Sequence, residues 1–221
     1  EALVRWRLED GTYLPPSSFV DIFEKNRFCS KLDFYMLKKA IQQIRKWIDM
    51  GMNPVNISVN QSKIVFYHEN YISELKSLLE EYNVSGSYIT LEVLESTVIE
   101  DIDIFNSILT EVKKLGFSVS LDDFGSGYSS LNVLSKLQID ELKIDRIFLH
   151  TKSEVDNQRT KWILESIIDI AKKSQILVVV EGVESKQDDL FIKNLGADVG
   201  QGYFYGRPLS ISAFNDLIET K

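Results

Sequence analysis

Cysteine, histidine and long apolar runs are scarce in this chain of 221 residues. One cysteine, Cys29, and two histidines exclude an internal disulfide and disfavour a zinc site built from nitrogen and sulfur ligands. We interpret Cys29 as a buried thiol, which fits a reducing compartment, and we expect a cytoplasmic domain. The longest aliphatic run, residues 176–180, is far shorter than the roughly 20 apolar residues that span a bilayer. We therefore expect a domain without membrane contact, although a longer parent protein can carry an anchor.

Positive charge is also in deficit. The chain has 25 lysine and arginine residues against 33 aspartate and glutamate residues, which gives a net charge of −8. Binding to a DNA or RNA polymer requires a basic surface that neutralises many phosphates, so this composition argues against such a partner. A small anionic ligand remains compatible with the charge if metal cations supply the attraction.

Glycine and proline are few, at 11 and 4 residues, and no linker or repeat divides the chain, so we expect one domain over residues 1–221. Apolar strand-like segments alternate with helical patterns, which indicates a parallel sheet covered by helices. The clearest helix covers residues 34–48, for which Ser30 and Asp33 offer a capping box. We count seven strands, beginning with the EALVRW segment, where a closed barrel of this type has eight. The prediction is a TIM-like α/β barrel whose first strand lies upstream of Glu1, so that the chain begins partway into a domain.

Polar side chains mark the ends of these strands. The carboxyl ends of parallel strands meet at one edge of a sheet, and carboxylate and amide oxygens are the ligands that Mg²⁺ and Mn²⁺ prefer. Taken singly, each polar end can be an ordinary turn, and an asparagine can bond its own backbone. A buried lysine is harder to explain this way, because its charge requires partners. The recurrence of the pattern favours a metal site formed by Glu1, Asn56, Glu92, Asp122, Asp123, Lys143, Glu181 and Gln201.

Seven motifs in this order resemble the EAL domain of bacterial cyclic di-GMP phosphodiesterases. They are EALVRW, VNIS, LEVLES, DDFGSGYSSL, LKIDRIF, VVEGVES and QGYFYGRPL, and they extend from residue 1 to residue 208. The resemblance implies a TIM-like barrel whose first strand runs opposite to the others. It also implies metal-dependent hydrolysis of one phosphodiester of cyclic di-GMP, which gives linear pGpG.

The resemblance assigns metal ligands for two ions, Mg²⁺ or Mn²⁺. The count of charges favours two ions over one, because two divalent cations and one lysine balance five carboxylates. Repulsion between two like charges about 4 Å apart costs roughly 1 kcal/mol even in water, so a site with fewer cations would be unfavourable. With both ions bound, the site is close to neutral before the substrate arrives. The expected ligands are Glu1, Asn56, Glu92, Asp122, Asp123 and Glu181.

Catalytic and substrate-binding roles follow from the same resemblance. Lys143 matches a lysine that contacts the attacking water, and Glu181 matches a glutamate described either as general base or as metal ligand; with Glu1, these form the expected catalytic set. Leu3, Arg5 and Gln201 match positions that contact the substrate.

One departure from the family pattern occurs after Glu92. The family has Glu-x-Thr-Glu, and Leu94 here replaces the threonine and its hydroxyl group. We expect metal binding to persist and the loop that follows Asp123 to be less well ordered. Glu95 and Glu184 match carboxylates that hold neighbouring loops in place.

Two other functions remain open from the sequence. One is an inactive EAL domain that binds cyclic di-GMP as a receptor, although such receptors lose metal-binding carboxylates or the lysine, and this chain retains both. The other is an unrelated metal-dependent barrel enzyme. The resemblance also implies a longer multidomain protein with an upstream GGDEF or sensory domain, and a homodimer.

Overall fold

The computed structural model describes residues 1–95, 102–126, 131–149 and 154–219. Its central sheet contains six parallel strands in sequence order, each connected to the next through one or more helices. This alternation confirms the predicted α/β class. The strands are β3 (Ile57–Gln61), β4 (Ile89–Leu94), β5 (Ser118–Phe124), β6 (Glu141–Ile144), β7 (Leu177–Val180) and β8 (Val199–Gly200), and a separate antiparallel hairpin pairs β1 (Trp6–Arg7) with β2 (Tyr13–Leu14).

Nine α-helices are present in the described part of the chain, and several of them pack against the strands. They are α1 (Val20–Lys25), α2 (Cys29–Asp49), α3 (Lys63–Phe66), α4 (Tyr71–Tyr82), α5 (Ile102–Lys114), α6 (Leu131–Lys136), α7 (Glu154–Lys173), α8 (Lys186–Leu195) and α9 (Ile211–Glu219). Short 3₁₀ helices cover Pro16–Ser18, Gly86–Tyr88 and Arg146–Phe148. Within the described ranges, no helix is both long and apolar enough to cross a membrane.

The amino-terminal segment differs from the prediction. EALVRW was expected to be a barrel strand, but Glu1–Arg5 have no strand geometry, and Trp6–Arg7 pair with Tyr13–Leu14 instead of joining the large sheet. A single backbone bond, from the Ala2 N–H to the Ser58 carbonyl at 2.8 Å, connects the segment with β3. That bond still places Glu1 beside β3.

The long helix α2 shows why a local capping signal can mislead. The helix begins at Cys29, so both members of the predicted capping box lie inside it, and no side chain caps its start. Asp33 is buried and accepts hydrogen bonds from the backbone N–H and the hydroxyl of Ser62, at 3.0 and 2.5 Å. A contact with the segment after β3 therefore replaces the predicted cap. The rest of the helix follows its apolar pattern and buries Leu37, Ala40, Ile41, Ile44 and Trp47.

The two faces of the strands differ in chemistry. Successive side chains of a strand point to opposite faces. Residues such as Val59, Leu91 and Val119 belong to the apolar core cluster that also contains the buried faces of α2, α4 and α5. The alternate positions carry polar groups, and Asn60 lies opposite Glu92 in the register of β3 and β4. The polar groups thus gather on the face of the sheet away from the helices.

Candidate active and metal-binding site

A buried lysine forms the centre of the site. The Lys143 side chain on β6 is 2% exposed, and its Nζ atom lies within ion-pair distance of four carboxylates. Their oxygens lie 2.7 Å away on Glu181, 3.0 Å on Glu92, 3.1 Å on Asp122 and 3.7 Å on Glu1. The partners come from β4, β5 and the segments after β7 and before β1, so the fold brings residues 180 positions apart to one ammonium group.

The electrostatics of this cluster follow from burial and charge density. Burial would lower the pKa of Lys143, but the surrounding carboxylates hold it well above its ordinary value, so the ammonium remains charged. Burial raises the pKa of Glu92 to about 8; Lys143 opposes this shift, and the Glu1 and Asp122 charges add to it. Burial also raises the pKa of Glu181 against the opposing effect of Lys143. The single positive charge of Lys143 therefore does not neutralise the negative charges of the carboxylates around it.

Two side-chain amides hold Glu1 in place. The Asn60 Nδ2 group donates to Glu1 Oε1 at 2.9 Å, and the Gln201 Nε2 group donates to Glu1 Oε2 at 2.9 Å. Burial alone would raise the pKa of Glu1, but Lys143 and these two hydrogen bonds outweigh it and lower the pKa. Glu1 is thus fixed as an ionised carboxylate between β3 and the segment after β8.

A bulge in β5 presents two adjacent aspartates to the site. Leu121 pairs with Leu142 and Phe124 with Ile144, so two residues of β5 lie opposite the single residue Lys143. Asp123 has φ +57°, the left-handed region that non-glycine residues enter at some energetic cost, and its N–H donates to Asp122 Oδ1 at 2.9 Å. In a regular strand these two side chains would point to opposite faces. The bulge allows oxygens of both aspartates to lie within 4.8 Å of a Glu181 oxygen.

The donor set fits divalent metal ions. Asp122, Asp123 and Glu181 offer three oxygens close enough together to bind one ion. The Oε2 atom of Glu92 is buried and has no hydrogen-bond partner among the described residues, so an acceptor faces the site unused. Among the described residues this group contains only carboxylate oxygens, which are typical of Mg²⁺ or Mn²⁺ sites.

The structure corrects the placement of one predicted ligand. Asn56 lies before the start of β3, where its Oδ1 atom accepts from the Thr90 hydroxyl at 2.9 Å and its amide donates to the Ser87 carbonyl. Four residues of strand correspond to about 13 Å, so Asn56 lies at the opposite end of β3 from the carboxylates. Asn60 occupies the place that was predicted for Asn56. Its position at the carboxyl end of the strand was the signal that could have identified it.

The remaining predicted residues lie in varied environments. Leu3 and Arg5 are exposed on the segment that follows Glu1, and the Arg5 guanidinium donates to the Val4 carbonyl at 2.7 Å. Glu95 is buried directly after β4. Glu184 is exposed, and its backbone N–H donates to Asp188.

The departure at position 94 can be located as well. Leu94 is the last residue of β4, lies opposite Asp122 in the register and is 39% exposed. Part of the loop for which reduced order was expected, residues 127–130, lies outside the described residues.

Comparison with known proteins decides the family. A family model described as the EAL domain matches residues 1–208. The chain belongs to the EAL domain family. MucR of Pseudomonas aeruginosa, a bifunctional diguanylate cyclase/cyclic di-GMP phosphodiesterase, is 34% identical to this EAL domain over 209 residues, which cover 95% of this chain and 30% of MucR. PdeR of Escherichia coli K12, a cyclic di-GMP phosphodiesterase, is 32% identical over 215 residues, 97% of this chain and 32% of PdeR. The chain therefore spans about a third of the length of these relatives.

Solved structures confirm the fold. The MucR phosphodiesterase in complex with cyclic di-GMP matches this EAL domain with a TM-score of 0.86 and 32% identity, over 96% of this chain and 85% of that one. The EAL enzyme Bd1971, bound to cAMP and cyclic di-GMP, matches with a TM-score of 0.87 and 29% identity, over 98% and 59% of the two chains. The predicted EAL-type α/β barrel is therefore correct.

Proposed function

We propose that this EAL domain hydrolyses one phosphodiester bond of cyclic di-GMP and releases linear pGpG, with two divalent cations bound at the carboxylate cluster. Membership of a family whose named relatives are cyclic di-GMP phosphodiesterases supports the substrate. The observation that carries the proposal is the cluster itself: Lys143 surrounded by four carboxylates, with Asp123 beside them. Such an excess of negative charge repels an anionic substrate unless cations are bound.

The chain offers ligands for two ions. Asp122, Asp123 and Glu181 would hold one, and Glu1, Asn60, Glu92 and Asp122 would hold the other. Mg²⁺ or Mn²⁺ at these positions supplies the Lewis acidity that activates a water molecule and stabilises charge on the phosphate and the leaving oxygen. The hydrogen bonds that Asn60 and Gln201 donate to the two oxygens of Glu1 orient this carboxylate toward the other ligands.

Lys143 and Glu181 are the groups placed to handle charge and protons during attack. Their ion pair of 2.7 Å holds a cation and a carboxylate next to one another at the centre of the cluster. Lys143, charged under all ordinary conditions, orients the attacking water and offsets the negative charge that develops at phosphorus. Glu181, next to that ammonium, is the carboxylate placed to accept the proton of that water. The water oxygen bonds to phosphorus as its proton passes to Glu181, and the P–O3′ bond breaks. The leaving 3′-oxygen takes a proton from solvent water, and Glu181 returns its proton to solvent.

Substrate binding is assigned to the exposed residues near Glu1. Arg5 can hold the phosphate that does not react through paired hydrogen bonds from its guanidinium group. Leu3 offers an apolar contact at the same edge of the site, and it is 41% exposed. Gln201 lies beside Glu1, to which its side-chain amide donates.

The experiment that tests this function separates cleavage from binding. Purified protein is incubated with cyclic di-GMP and Mn²⁺, and the nucleotides are resolved by chromatography while binding is measured by calorimetry with Ca²⁺ in place of Mn²⁺. We expect conversion to pGpG with Mn²⁺ and none in EDTA or with Glu92→Ala. Tight binding together with an absence of pGpG would instead identify a receptor and overturn the proposal.

A further inference from the structure

A buried carboxylate outside the site joins α8 to the segment after β8. Asp189 has a side chain that is 1% exposed, and it accepts from three donors. Lys186 Nζ lies 2.7 Å from Oδ2, Lys193 Nζ lies 2.8 Å from Oδ1, and the Tyr205 hydroxyl donates to Oδ1 at 2.7 Å. The two lysines belong to the same helix as Asp189, so Tyr205 is the one of these three donors that lies outside the helix.

Tyr205 in turn fits closely over the last residue of β8. A Cβ atom at Gly200 would lie 2.4 Å from the Tyr205 hydroxyl oxygen and 2.8 Å from its ring carbon Cε2. Real Cβ atoms do not approach other atoms this closely, so the phenol occupies space that exists because residue 200 has no side chain. The ring and the β8 backbone therefore constrain one another.

Gln201 lies between these contacts and the active site. Its N–H donates to the Val180 carbonyl at 2.9 Å, its carbonyl accepts from the Val183 N–H at 3.0 Å, and its side chain donates to Glu1. Moving the backbone at Gly200 would move Gln201 and shift this donor. A side-chain hydrogen bond weakens steeply when its geometry departs from the ideal by a few tenths of an ångström and tens of degrees.

We propose that Asp189 is a positioning residue for the active site: through Tyr205 it fixes the backbone at Gly200 and so keeps the Gln201 amide on Glu1. Glu1 is a metal ligand only under the function proposed above, and the inference about Asp189 deepens that function. The donors on Asp189 lower the pKa of its carboxyl group, and burial with the Asp189 contact raises the pKa of Tyr205 to about 12. The hydroxyl therefore remains a donor and the carboxylate an acceptor across the working pH range.

The direct test measures the Gln201 side-chain amide in metal-free protein. Hydrogen exchange of its NH₂ group is followed by ¹⁵N NMR in the wild type, in Tyr205→Phe and in Asp189→Asn. We expect exchange at Gln201 to accelerate about fivefold in Tyr205→Phe, the effect of losing one hydrogen bond of ordinary strength. The acceleration should be smaller in Asp189→Asn, because the amide oxygen can still accept from Tyr205 but the charge that strengthens the bond is gone. The Gln42 amide, which donates to the Tyr82 hydroxyl at 2.9 Å, is the internal control and should keep its rate.

A matched variant gives the reverse pattern. Tyr82→Phe removes the acceptor of Gln42 and should accelerate exchange there while leaving Gln201 unchanged. If Tyr205→Phe and Asp189→Asn accelerate both amides equally, they destabilise the whole domain and the positioning role is wrong. Unchanged exchange at Gln201 in both variants would also overturn it.

Mn²⁺ affinity adds a readout that is independent of nucleotide cleavage. Gln201→Ala should weaken Mn²⁺ binding by roughly tenfold, as loss of a hydrogen bond to a ligand does. Asp189→Asn should weaken it about threefold in the wild type and have no further effect in Gln201→Ala, because both act through the same amide. Additive losses would contradict the inference. Absence of cyclic di-GMP cleavage by a protein that shows these patterns would count against the proposed function and leave the role of Asp189 intact.

Discussion

Replacing Lys143 with methionine tests the electrostatic account of the site, because it removes an ammonium group and preserves most of the side-chain volume. The Lys143–Glu92 pair is buried, at 2% and 1% exposure, whereas the side chains of Asp122, Glu1 and Glu181 are 11%, 15% and 21% exposed. Removing one partner of a buried ion pair costs about 3–5 kcal/mol. We expect Lys143→Met to lower the free energy of unfolding of the metal-free protein by about this amount near pH 8.

The pH dependence gives the sign of the effect. Glu92 has a pKa of about 8 in the folded protein against an ordinary value of 4.5, so the folded state binds more protons than the unfolded state between these values. Stability of the metal-free wild type therefore falls as pH rises from 4.5 to 8. Without Lys143 the pKa of Glu92 in the folded state rises further. The stability of the Lys143→Met variant therefore continues to decrease at pH values above 8.

Urea denaturation in EDTA, followed by tryptophan fluorescence to which the buried Trp47 contributes, measures both quantities. The matched control is Lys173→Met, since Lys173 also lies 2.7 Å from a carboxylate, that of Asp169, but the two side chains are 75% and 59% exposed. An exposed pair contributes under about 1 kcal/mol. Equal losses and equal pH slopes in the two variants would refute the reasoning. Turnover should be abolished in Lys143→Met and unchanged in the control.

Three further predictions follow from named contacts. Asn60→Ala should weaken Mn²⁺ binding in calorimetry by about tenfold or more, whereas Asn56→Ala should change the Mn²⁺ affinity by less than about twofold. A larger loss in Asn56→Ala than in Asn60→Ala would identify Asn56 as the ligand instead. Burial raises the pKa of Asp33 to about 6 from 3.8. Ionisation of this group therefore lowers the free energy of unfolding by roughly 3 kcal/mol as pH rises through this range. Asp33→Asn should reduce this dependence of stability on pH, measured by thermal denaturation. Glu92→Gln keeps the shape of the ligand and removes its charge, and it should abolish turnover measured by chromatography. It should also increase the stability of the metal-free protein at pH 8, because Lys143 retains three other carboxylate partners and is not left as an unpaired buried charge. Retained turnover would remove Glu92 from the site.

Much of the site could be predicted because parallel strands bring their carboxyl ends to one edge. Glu92, Asp122, Lys143 and Glu181 each lie in or directly after a run of apolar residues, and the structure brings these four side chains together with Glu1. Strand order and direction suffice for this result, so it does not depend on fine detail of the loops.

The error at Asn56 has a physical cause. Asn56 and Asn60 are four residues apart, so the alternation of side chains along a strand places both on the same face. Alternation cannot distinguish one end of a strand from the other. The boundary of β3 at Gln61 decides between the two asparagines, and it depends on pairing with β4, which the local sequence does not specify.

Two other features depend on tertiary contacts. Asp33 has the spacing of a helix cap, but Ser62, 29 residues away, offers it two donors, and the helix begins earlier. The left-handed conformation of Asp123 is unusual for a residue with a side chain, and nothing in the Asp-Asp dipeptide predicts it. The bulge that follows from it faces both aspartates toward the site.

The measurement that tests the central claim most directly is hydrolysis of cyclic di-GMP in ¹⁸O-labelled water with Mn²⁺, read by mass spectrometry of the products. The account predicts pGpG with one ¹⁸O atom in its terminal phosphate, formed by the wild type and absent in EDTA. Recovery of intact, unlabelled cyclic di-GMP from protein that has bound both Mn²⁺ and the nucleotide would contradict it.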